Sequence, residues 1–271
     1  MTERTHDEIR TEVRARYGEI ARQDGAPGCG TGGCCSPAGD ASLAMGYSEQ
    51  DLDAVPEGAN LGLGCGNPHA IASLREGQTV LDLGSGGGFD AFLAAQQVGP
   101  TGTVIGVDMT PEMVAKARAN ALTIGAANVD IRLGEIERLP VADDSVDVIL
   151  SNCVINLSPD KGAVFDEAFR VLRPGGRLAI ADIVAIAPMP EELADDVAAY
   201  TGCVAGAAEV ETLKRLLADA GFEEVEVEVR NKSREILERC VPGKDVGRYV
   251  ASATLEATKP VAGCCAPACC S

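Results

Sequence analysis

The stretch Leu81-Asp82-Leu83-Gly84-Ser85-Gly86-Gly87-Gly88 decides the fold. It contains the end of a short apolar run, TVLDLG, which predicts a buried strand, and it leads into FDAFLAAQQV, which predicts a helix. Gly84 and Gly86 allow a tight turn and a close approach of the backbone to a ligand. The following helix N-terminus offers free backbone N–H groups. The stretch therefore predicts a strand, a ligand-binding turn and a helix in direct succession.

The alternation of strand and helix continues along the chain. Strands are predicted at TVIGVD, NVDIRL, SVDVILSN and RLAIADIV. Helices are predicted from His6 to Arg22, from Ser48 to Asp53, from Pro111 to Ile124, and from Ser158 or Asp160 to Leu172. After Ala187, two helical stretches near 190–200 and 208–220 precede the strand candidates GFEEVEVEV and RYVASATLEATK. This order predicts a doubly wound α/β sheet.

Composition restricts the function before any site is considered. The chain has 271 residues, a formal net charge of −18, eleven cysteines and two histidines. The negative charge argues against a basic surface that binds nucleic acid or anionic lipid. The polar first residues and the absence of an apolar run of membrane-spanning length predict a cytoplasmic protein. In that reducing compartment, cysteines more often bind metals or do chemistry than form stabilising disulfides.

The glycine turn departs from the dinucleotide pattern, because Phe89 stands where a third spaced glycine is expected. Asp82 suits a cationic ligand, and Asp108 follows Gly88 by 20 residues, where an acid accepts hydrogen bonds from ribose hydroxyls. We therefore predict S-adenosylmethionine as the cofactor and disfavour a nicotinamide oxidoreductase. The predicted cofactor-binding residues are Asp82, Gly84, Ser85, Gly86, Asp108, Met109, Glu135, Ile136 and Asn152. Over about residues 75–185 the pattern resembles class I methyltransferases, which implies a seven-stranded Rossmann-like sheet.

Three cysteines stand apart from the cysteine clusters. Cys65 lies in LGLGCGNP before the first strand of the sheet, Cys153 lies in SNCVINL after the fourth, and Cys203 lies in GCVAGA between late helices. A lone cysteine is ordinarily a small buried hydrophobe. Zinc is disfavoured, because the chain has no C-x-x-C pair and almost no histidine. Three converging thiolates suit a soft centre, and trivalent arsenic takes three sulfur ligands.

Several motifs together resemble the arsenite methyltransferase family, from about residue 14 to residue 257. The most distinctive are GLGCGNP and SNCVINLSPDK, joined by RVLRPGGRLAI and GCVAGA. The resemblance implies that Cys65, Cys153 and Cys203 bind trivalent arsenic. It also implies a transient disulfide between one of them and a cysteine of the N-terminal loop, and a thiol reductant, glutathione or thioredoxin, as co-substrate. Cys29, Cys34 and Cys35 are the loop candidates; we favour Cys34 or Cys35 and include Cys35 in the catalytic set.

This interpretation divides the chain into four parts. Residues 1–74 are predicted to cover the active site, 75–187 to bind the cofactor, 188–259 to form a smaller C-terminal α+β region for the substrate, and 260–271 to be a flexible tail. The tail pairs Cys264-Cys265 and Cys269-Cys270 either capture arsenite or are inert, and Cys240 is read as structural. A monomer is expected. Two alternatives remain, a methyltransferase for a small organic acceptor and a non-catalytic thiol-rich protein that binds arsenic or a soft metal.

Overall fold

The computed structural model describes residues 5–22, 38–194, 196–230 and 246–261. The helices of these residues are α1 His6–Arg22, α2 Ala38–Ala44, α3 Glu49–Asp53, α4 His69–Ala72, α5 Phe89–Val98, α6 Pro111–Ile124, α7 Lys161–Val171, α8 Glu191–Ala194, α9 Val197–Thr201 and α10 Val210–Asp219. The strands are β1 Thr79–Leu83, β2 Thr103–Asp108, β3 Val129–Leu133, β4 Val146–Asn152, β5 Leu172–Ala185, β6 Ala208–Glu209, β7 Glu223–Arg230 and β8 Val250–Thr258. In this part of the chain, no helix is both long and apolar enough to cross a bilayer.

The sheet confirms the predicted fold class. Seven strands follow the order β3-β2-β1-β4-β5-β8-β7, and the two-residue β6 pairs with β5 beside them. β1 to β5 pair in parallel along this order, whereas β8 is antiparallel to both β5 and β7. The order reverses between β1 and β4, and a crevice forms beyond the carboxyl ends of strands at such a point. β7 and β8, from the predicted C-terminal region, complete this same sheet.

Alternating side chains bury both faces of the parallel strands. Val80 and Val148 face the alanines of α5, and Leu81 and Ile149 face the opposite layer with Phe165 of α7. All four strand residues are fully buried. Runs of this kind are typical of parallel strands covered by helices on both sides. The sheet is thus a rigid platform with its carboxyl edge at the crevice.

Three predicted elements differ in extent from the observed ones. α7 begins after Asp160, whose carboxylate accepts a hydrogen bond from the Ala163 N–H at 3.0 Å, so Ser158 lies outside the helix. β5 begins at Leu172, five residues before the predicted strand, because Leu172 already pairs with Val146 of β4 across a register shift. The predicted helix near 190–200 is divided into α8 and α9.

The glycine turn contacts the segment that follows β4, and this contact can be tested by stability. Gly84 and Gly86 both have positive φ, +67° and +50°. A Cβ on Gly84 would lie 2.5 Å from Val154 Cγ2, whereas a Cβ on Gly86 would meet nothing closer than the Gly84 carbonyl at 4.0 Å. Left-handed backbone alone penalises alanine by about 1–2 kcal/mol.

We expect Gly86→Ala to lower the free energy of unfolding by about 1–2 kcal/mol. We expect Gly84→Ala to lower it by a further ~1–3 kcal/mol, because Val154 must move. Urea unfolding of the two variants beside the unmodified protein measures the difference. Equal losses in both variants would contradict the close approach of Gly84 to Val154.

Candidate functional site

A cavity of about 1070 Å³, counting the open space at its mouth, lies at the carboxyl edge of the sheet where the strand order reverses. We call it the cofactor cavity. Residues of the glycine turn, of α1, of α2 and of the segment before Cys65 all line it. The residues that line it are Arg10, Val13, Tyr17, Ser42, Met45, Tyr47, Ala59, Asn60, Leu61, Gly62, Leu63, Gly64, Asp82, Gly84, Ser85, Gly86, Gly87, Phe89, Asp90, Asp108, Met109, Thr110, Met113, Ile136, Glu137, Asn152, Cys153, Val154, Leu157 and Ser158.

Three acidic side chains form a buried cluster in the cavity. Asp82, Asp90 and Asp108 all line it and are all buried. Burial raises the pKa of the Asp82 carboxyl well above its usual value, and the charges of Asp90 and Asp108 raise it further. The Asp82 Oδ2 atom is buried and accepts no hydrogen bond from the protein. A buried carboxylate oxygen without a partner is costly, and a cationic ligand would satisfy it.

Asp108 holds the glycine turn in place at the end of β2. Its Oδ2 accepts a hydrogen bond from the Gly86 N–H at 3.0 Å, and its Oδ1 accepts one from the Thr110 N–H at 2.8 Å. Burial raises the pKa of Asp108, and these two hydrogen bonds oppose that rise. Each carboxylate oxygen has two lone pairs. Both oxygens of Asp108 thus retain acceptor capacity toward the cavity.

The predicted cofactor residues fall into two groups. All except Glu135 line the cavity, and these are Asp82, Gly84, Ser85, Gly86, Asp108, Met109, Ile136 and Asn152. The Glu135 side chain instead forms an ion pair with Arg14 of α1, with 2.8 Å between Oε1 and Nη2, and Glu137 lines the cavity in its place. The difference arises because α1 lies across the loop after β3, which sequence patterns alone do not reveal.

Asn152 ties the cofactor cavity to the loop that contains Cys65. Its Oδ1 accepts a hydrogen bond from the Cys65 N–H at 2.9 Å. Its Nδ2 lies 3.0 Å from the Tyr47 hydroxyl, 3.0 Å from the Gly66 carbonyl and 3.1 Å from Asp90 Oδ2. The amide is therefore occupied by protein contacts although it lines the cavity. Two of its partners, Tyr47 and Asp90, also line the cavity.

The three predicted cysteines meet at one edge of the cofactor cavity; we call Cys65, Cys153 and Cys203 the cysteine site. Cys65 and Cys153 are joined by a disulfide, with 5.4 Å between their Cα atoms. Cys203 is a buried free thiol whose Sγ donates to the Cys153 carbonyl at 2.9 Å. Cys153 also lines the cavity. The sequence predicts three thiolates at this site, whereas the structure joins two of the three sulfurs in a disulfide.

The backbone around the cysteines is tightly packed, which explains why Cys65 has a glycine on each side. Cys153 and Cys203 have positive φ, 61° and 63°, which is uncommon outside glycine. A Cβ on Gly64 would lie 2.7 Å from Asn152 Nδ2, and one on Gly66 would lie 2.9 Å from the Ala181 Cβ. The loop that contains Cys65 can therefore approach the sheet edge this closely only with glycine on both sides of the cysteine.

Buried charges surround the cysteine site. Burial raises the pKa of the Cys203 thiol well above its usual value, and Asp182 raises it further, whereas Tyr17 and Lys161 lower it. Burial also raises the pKa of Asp182, to about 6, although backbone hydrogen bonds and Lys161 oppose the rise. Desolvation lowers the pKa of the Lys161 ammonium. Cys203 is therefore a thiol, not a thiolate, until a ligand replaces its proton.

Sequence reasoning missed Asp182, Asp90 and Tyr17. Asp182 is the single charged residue inside the apolar run LAIADIV, and a buried charge in a central strand is itself a signal. Asp90 stands in the first turn of the helix after the glycine turn. Tyr17 lies on α1, and its hydroxyl donates to the Thr201 carbonyl at 3.2 Å. Cys29, Cys34, Cys35, Cys240 and the four tail cysteines lie outside the described residues, so their predicted roles stay predictions.

The cofactor cavity fits S-adenosylmethionine by the chemistry of its polar groups. The unpartnered Asp82 Oδ2 suits a cationic amino or sulfonium group, and the unpartnered Ser85 Oγ is a further free polar atom at the glycine turn. Asp108 stands where ribose hydroxyls are bound in sheets of this type. Ile136 and Met109 offer apolar contacts for a planar base.

Comparison with known proteins agrees with this geometry. The family model of a methyltransferase domain matches residues 74–221. The arsenite methyltransferase of Halobacterium salinarum is 53% identical over 96% of this chain and 69% of its own length. That of Aquipseudomonas alcaligenes is 41% identical over 78% of this chain, which spans only 61% of that relative.

A solved structure shares both fold and sequence. The arsenic (III) S-adenosylmethionine methyltransferase from Chlamydomonas reinhardtii is 34% identical, with a TM-score of 0.62, over 84% of this chain and 75% of that chain. The sheet, the glycine turn and the family matches are consistent with one another. The chain therefore belongs to the arsenite methyltransferase family, within the class I S-adenosylmethionine-dependent methyltransferases.

Proposed function

We propose that this protein transfers methyl groups from S-adenosylmethionine to trivalent arsenic bound by the thiolates of Cys65, Cys153 and Cys203. One observation carries the proposal: Cys153 lines the cofactor cavity while its sulfur is bonded to Cys65 and its carbonyl accepts from the Cys203 thiol. A ligand held by these three sulfurs would lie next to the cofactor. Residues 188–259 supply Cys203 to this site.

The chain's own residues orient the cofactor. S-adenosylmethionine supplies a methyl group bound to a positively charged sulfur. Asp82 binds its cationic amino acid portion, Asp108 accepts from its ribose hydroxyls, and the glycine turn lets the backbone approach it closely. The negative charge of Asp82, Asp90 and Asp108 favours this cationic molecule over its neutral product, which assists product release.

The cysteines then hold the arsenic for an in-line attack. After reduction of the Cys65–Cys153 disulfide, the thiols exchange with the hydroxyls of arsenite or with the glutathione sulfurs of its glutathione conjugate. Each thiol proton then leaves with a hydroxide as water or with a glutathione thiolate as glutathione. The arsenic lone pair is the nucleophile and carries no proton, so no general base is required. Catalysis then depends on positioning, which is worth large effective molarities.

A thiol reductant completes the cycle. Methyl transfer leaves arsenic pentavalent, and two electrons from a pair of thiolates return it to the trivalent state as a disulfide forms. Glutathione or thioredoxin then reduces that disulfide by thiol exchange, in a reducing compartment such as the cytoplasm. The Cys65–Cys153 disulfide supports a redox role for Cys65. A cysteine of the N-terminal loop, Cys34 or Cys35, is the proposed partner of Cys65 in turnover.

One assay separates this function from its two rivals. The protein is incubated with arsenite, S-adenosylmethionine and a thiol reductant, and the arsenic products are resolved by mass. Methylated arsenic formed with stoichiometric S-adenosylhomocysteine supports the proposal. Bound arsenic without S-adenosylhomocysteine indicates a sequestering protein. Neither binding nor product, in a protein that binds S-adenosylmethionine, indicates an organic acceptor.

We expect Cys153→Ser and Cys203→Ser each to lower arsenite methylation at least about 100-fold, because loss of one sulfur ligand misplaces the arsenic. Binding of S-adenosylmethionine, measured by calorimetry, should persist in both variants. Cys240→Ser, which removes a cysteine read as structural, is the matched control and should keep its activity. Full activity in both site variants would exclude the proposed arsenic ligands.

We expect Asp82→Asn to weaken S-adenosylmethionine binding by about 10- to 100-fold, because a charge-assisted contact is lost. The same variant should unfold at no lower urea concentration than the unmodified protein without ligand, since Asp82 Oδ2 has no partner to lose. Asp166→Asn, an exposed change of equal charge on α7, should affect neither quantity. Unchanged affinity in Asp82→Asn would contradict the proposed role of Asp82.

A further inference from the structure

A buried carboxylate, Asp182, lies against the cysteine site and has no part in the mechanism given above. One of its oxygens and the Sγ atoms of Cys65 and Cys153 all lie within 4.8 Å of one another. Asp182 is 3% exposed. The described residues that line the cofactor cavity include Cys153 but not Asp182, so the carboxylate approaches the sulfurs from the protein interior.

The Asp182 carboxylate is fixed in position by hydrogen bonds from the protein. Its Oδ2 accepts from the Ile155 N–H at 2.9 Å, and its Oδ1 accepts from Asn156 Nδ2 at 2.9 Å and from the Ile183 N–H at 2.7 Å. Hydrogen bonds of this kind favour the ionised carboxylate. The buried ammonium of Lys161 adds a favourable charge interaction. These contacts fix the carboxylate at a position where one of its oxygens lies within 4.8 Å of the Cys65 and Cys153 sulfurs.

A buried negative charge beside the cysteine site does not help it to bind arsenic. It raises the pKa of the Cys203 thiol and so opposes formation of the thiolate that binds arsenic. Burying the Asp182 charge also has a desolvation cost, which its hydrogen bonds offset without adding a net gain in stability. A carboxylate at this position is therefore expected to act at a stage of the reaction in which positive charge appears near the sulfurs.

Methyl transfer produces such a stage. The arsenic lone pair forms the new As–C bond, the C–S bond breaks, and its electron pair stays on sulfur, which becomes a neutral thioether. The positive charge of the sulfonium thus passes to the arsenic. Arsenic bonded to the cysteine sulfurs is close to Asp182, because the carboxylate lies within 4.8 Å of two of them.

We propose that Asp182 is an electrostatic catalytic group that stabilises the positive charge arriving on arsenic as the methyl group leaves the sulfonium. The inference rests on the proposed function. A fixed charge in a buried site acts strongly on charge that develops in the transition state, since little solvent screens it and it does not reorganise. Trivalent arsenic bound to three thiolates is neutral before methyl transfer and positively charged after it. Asp182 therefore stabilises the methylated state, and the transition state that leads to it, more than the starting state.

The competing explanation is that Asp182 only holds the backbone turn at residues 155–157, which follows Cys153. Two substitutions separate the explanations. Asp182→Asn keeps the shape of the side chain and removes its charge, whereas Asp182→Glu keeps the charge and changes the shape. A charge role predicts that Glu retains more activity than Asn, and a structural role predicts the reverse order.

The experiment measures single turnovers of reduced protein loaded with arsenite and mixed with saturating S-adenosylmethionine. We expect Asp182→Asn to slow formation of methylated arsenic about 100-fold, the size seen when one preorganised electrostatic group is removed. Arsenite binding is read separately, as the arsenite concentration that half-protects Cys203 from iodoacetamide, resolved by peptide mass spectrometry. That concentration should not rise, because the variant lacks the charge that opposes formation of the Cys203 thiolate. The affinity for S-adenosylmethionine should be unchanged.

The outcomes are distinct. The inference predicts a ~100-fold loss of the methylation rate in Asp182→Asn. It is overturned if that rate stays within about threefold of the rate of the unmodified protein. A loss of Cys203 protection in proportion to the rate also overturns it, because Asp182 would then shape the binding site. If Asp182→Glu fails to fold, Asp182→Asn alone still separates the two explanations. A slower methylation rate without weaker arsenite binding indicates the charge role, and a parallel loss of both indicates the structural role. Failure of the unmodified protein to methylate arsenite would refute the proposed function instead.

Discussion

The end of strand β4 is the constraint on which the site depends. Its register against β1 places Ser151 beside Leu83, and its register against β5 places Asn152 beside Ala181. The Cys153 N–H then donates to the Ala181 carbonyl at 2.8 Å. The backbone turns at this residue into a left-handed conformation. One strand end therefore faces the glycine turn on one side and Asp182 on the other, with Cys153 between them.

The remaining parts of the site are held to this strand end by polar contacts. The Asn152 amide binds the Cys65 backbone and Asp90, and the Ser252 hydroxyl of β8 donates to the Cys65 carbonyl at 2.6 Å. The Cys203 thiol donates to Cys153 itself. Segments from residue 65 to residue 252 thus meet through short contacts. A shift of β4 by one residue would turn its side chains to the opposite face and disperse the site.

Local patterns predicted most of the fold, because each strand and helix carries its own periodicity. α5, α6 and β2 begin and end at the residues that the sequence pattern predicts, and Pro111 lies in the first turn of α6 as expected. The start of β5 was not predictable, since Leu172 becomes a strand residue only by pairing with Val146. That pairing depends on tertiary context, which no window of sequence contains.

The site was predictable where topology alone sets positions. Asp82 and Asp108 lie at the carboxyl ends of β1 and β2, and Cys153 directly follows β4; these strand ends share one edge of the parallel sheet. Glu135 pairs with Arg14 because α1 crosses the loop after β3, and the pairing of Cys65 with Cys153 requires the backbone fold. Asp182 was missed because its neighbours read as an ordinary buried strand, although its charge is the feature that makes that strand unusual.

A crystal structure of the reduced protein with arsenite and S-adenosylhomocysteine tests the central claim most directly. The account predicts one arsenic atom bonded to the sulfurs of Cys65, Cys153 and Cys203, with its open side toward the thioether sulfur in the cofactor cavity. Arsenic bound elsewhere, or with fewer than these three sulfurs while Cys203 remains hydrogen-bonded to Cys153, would contradict it.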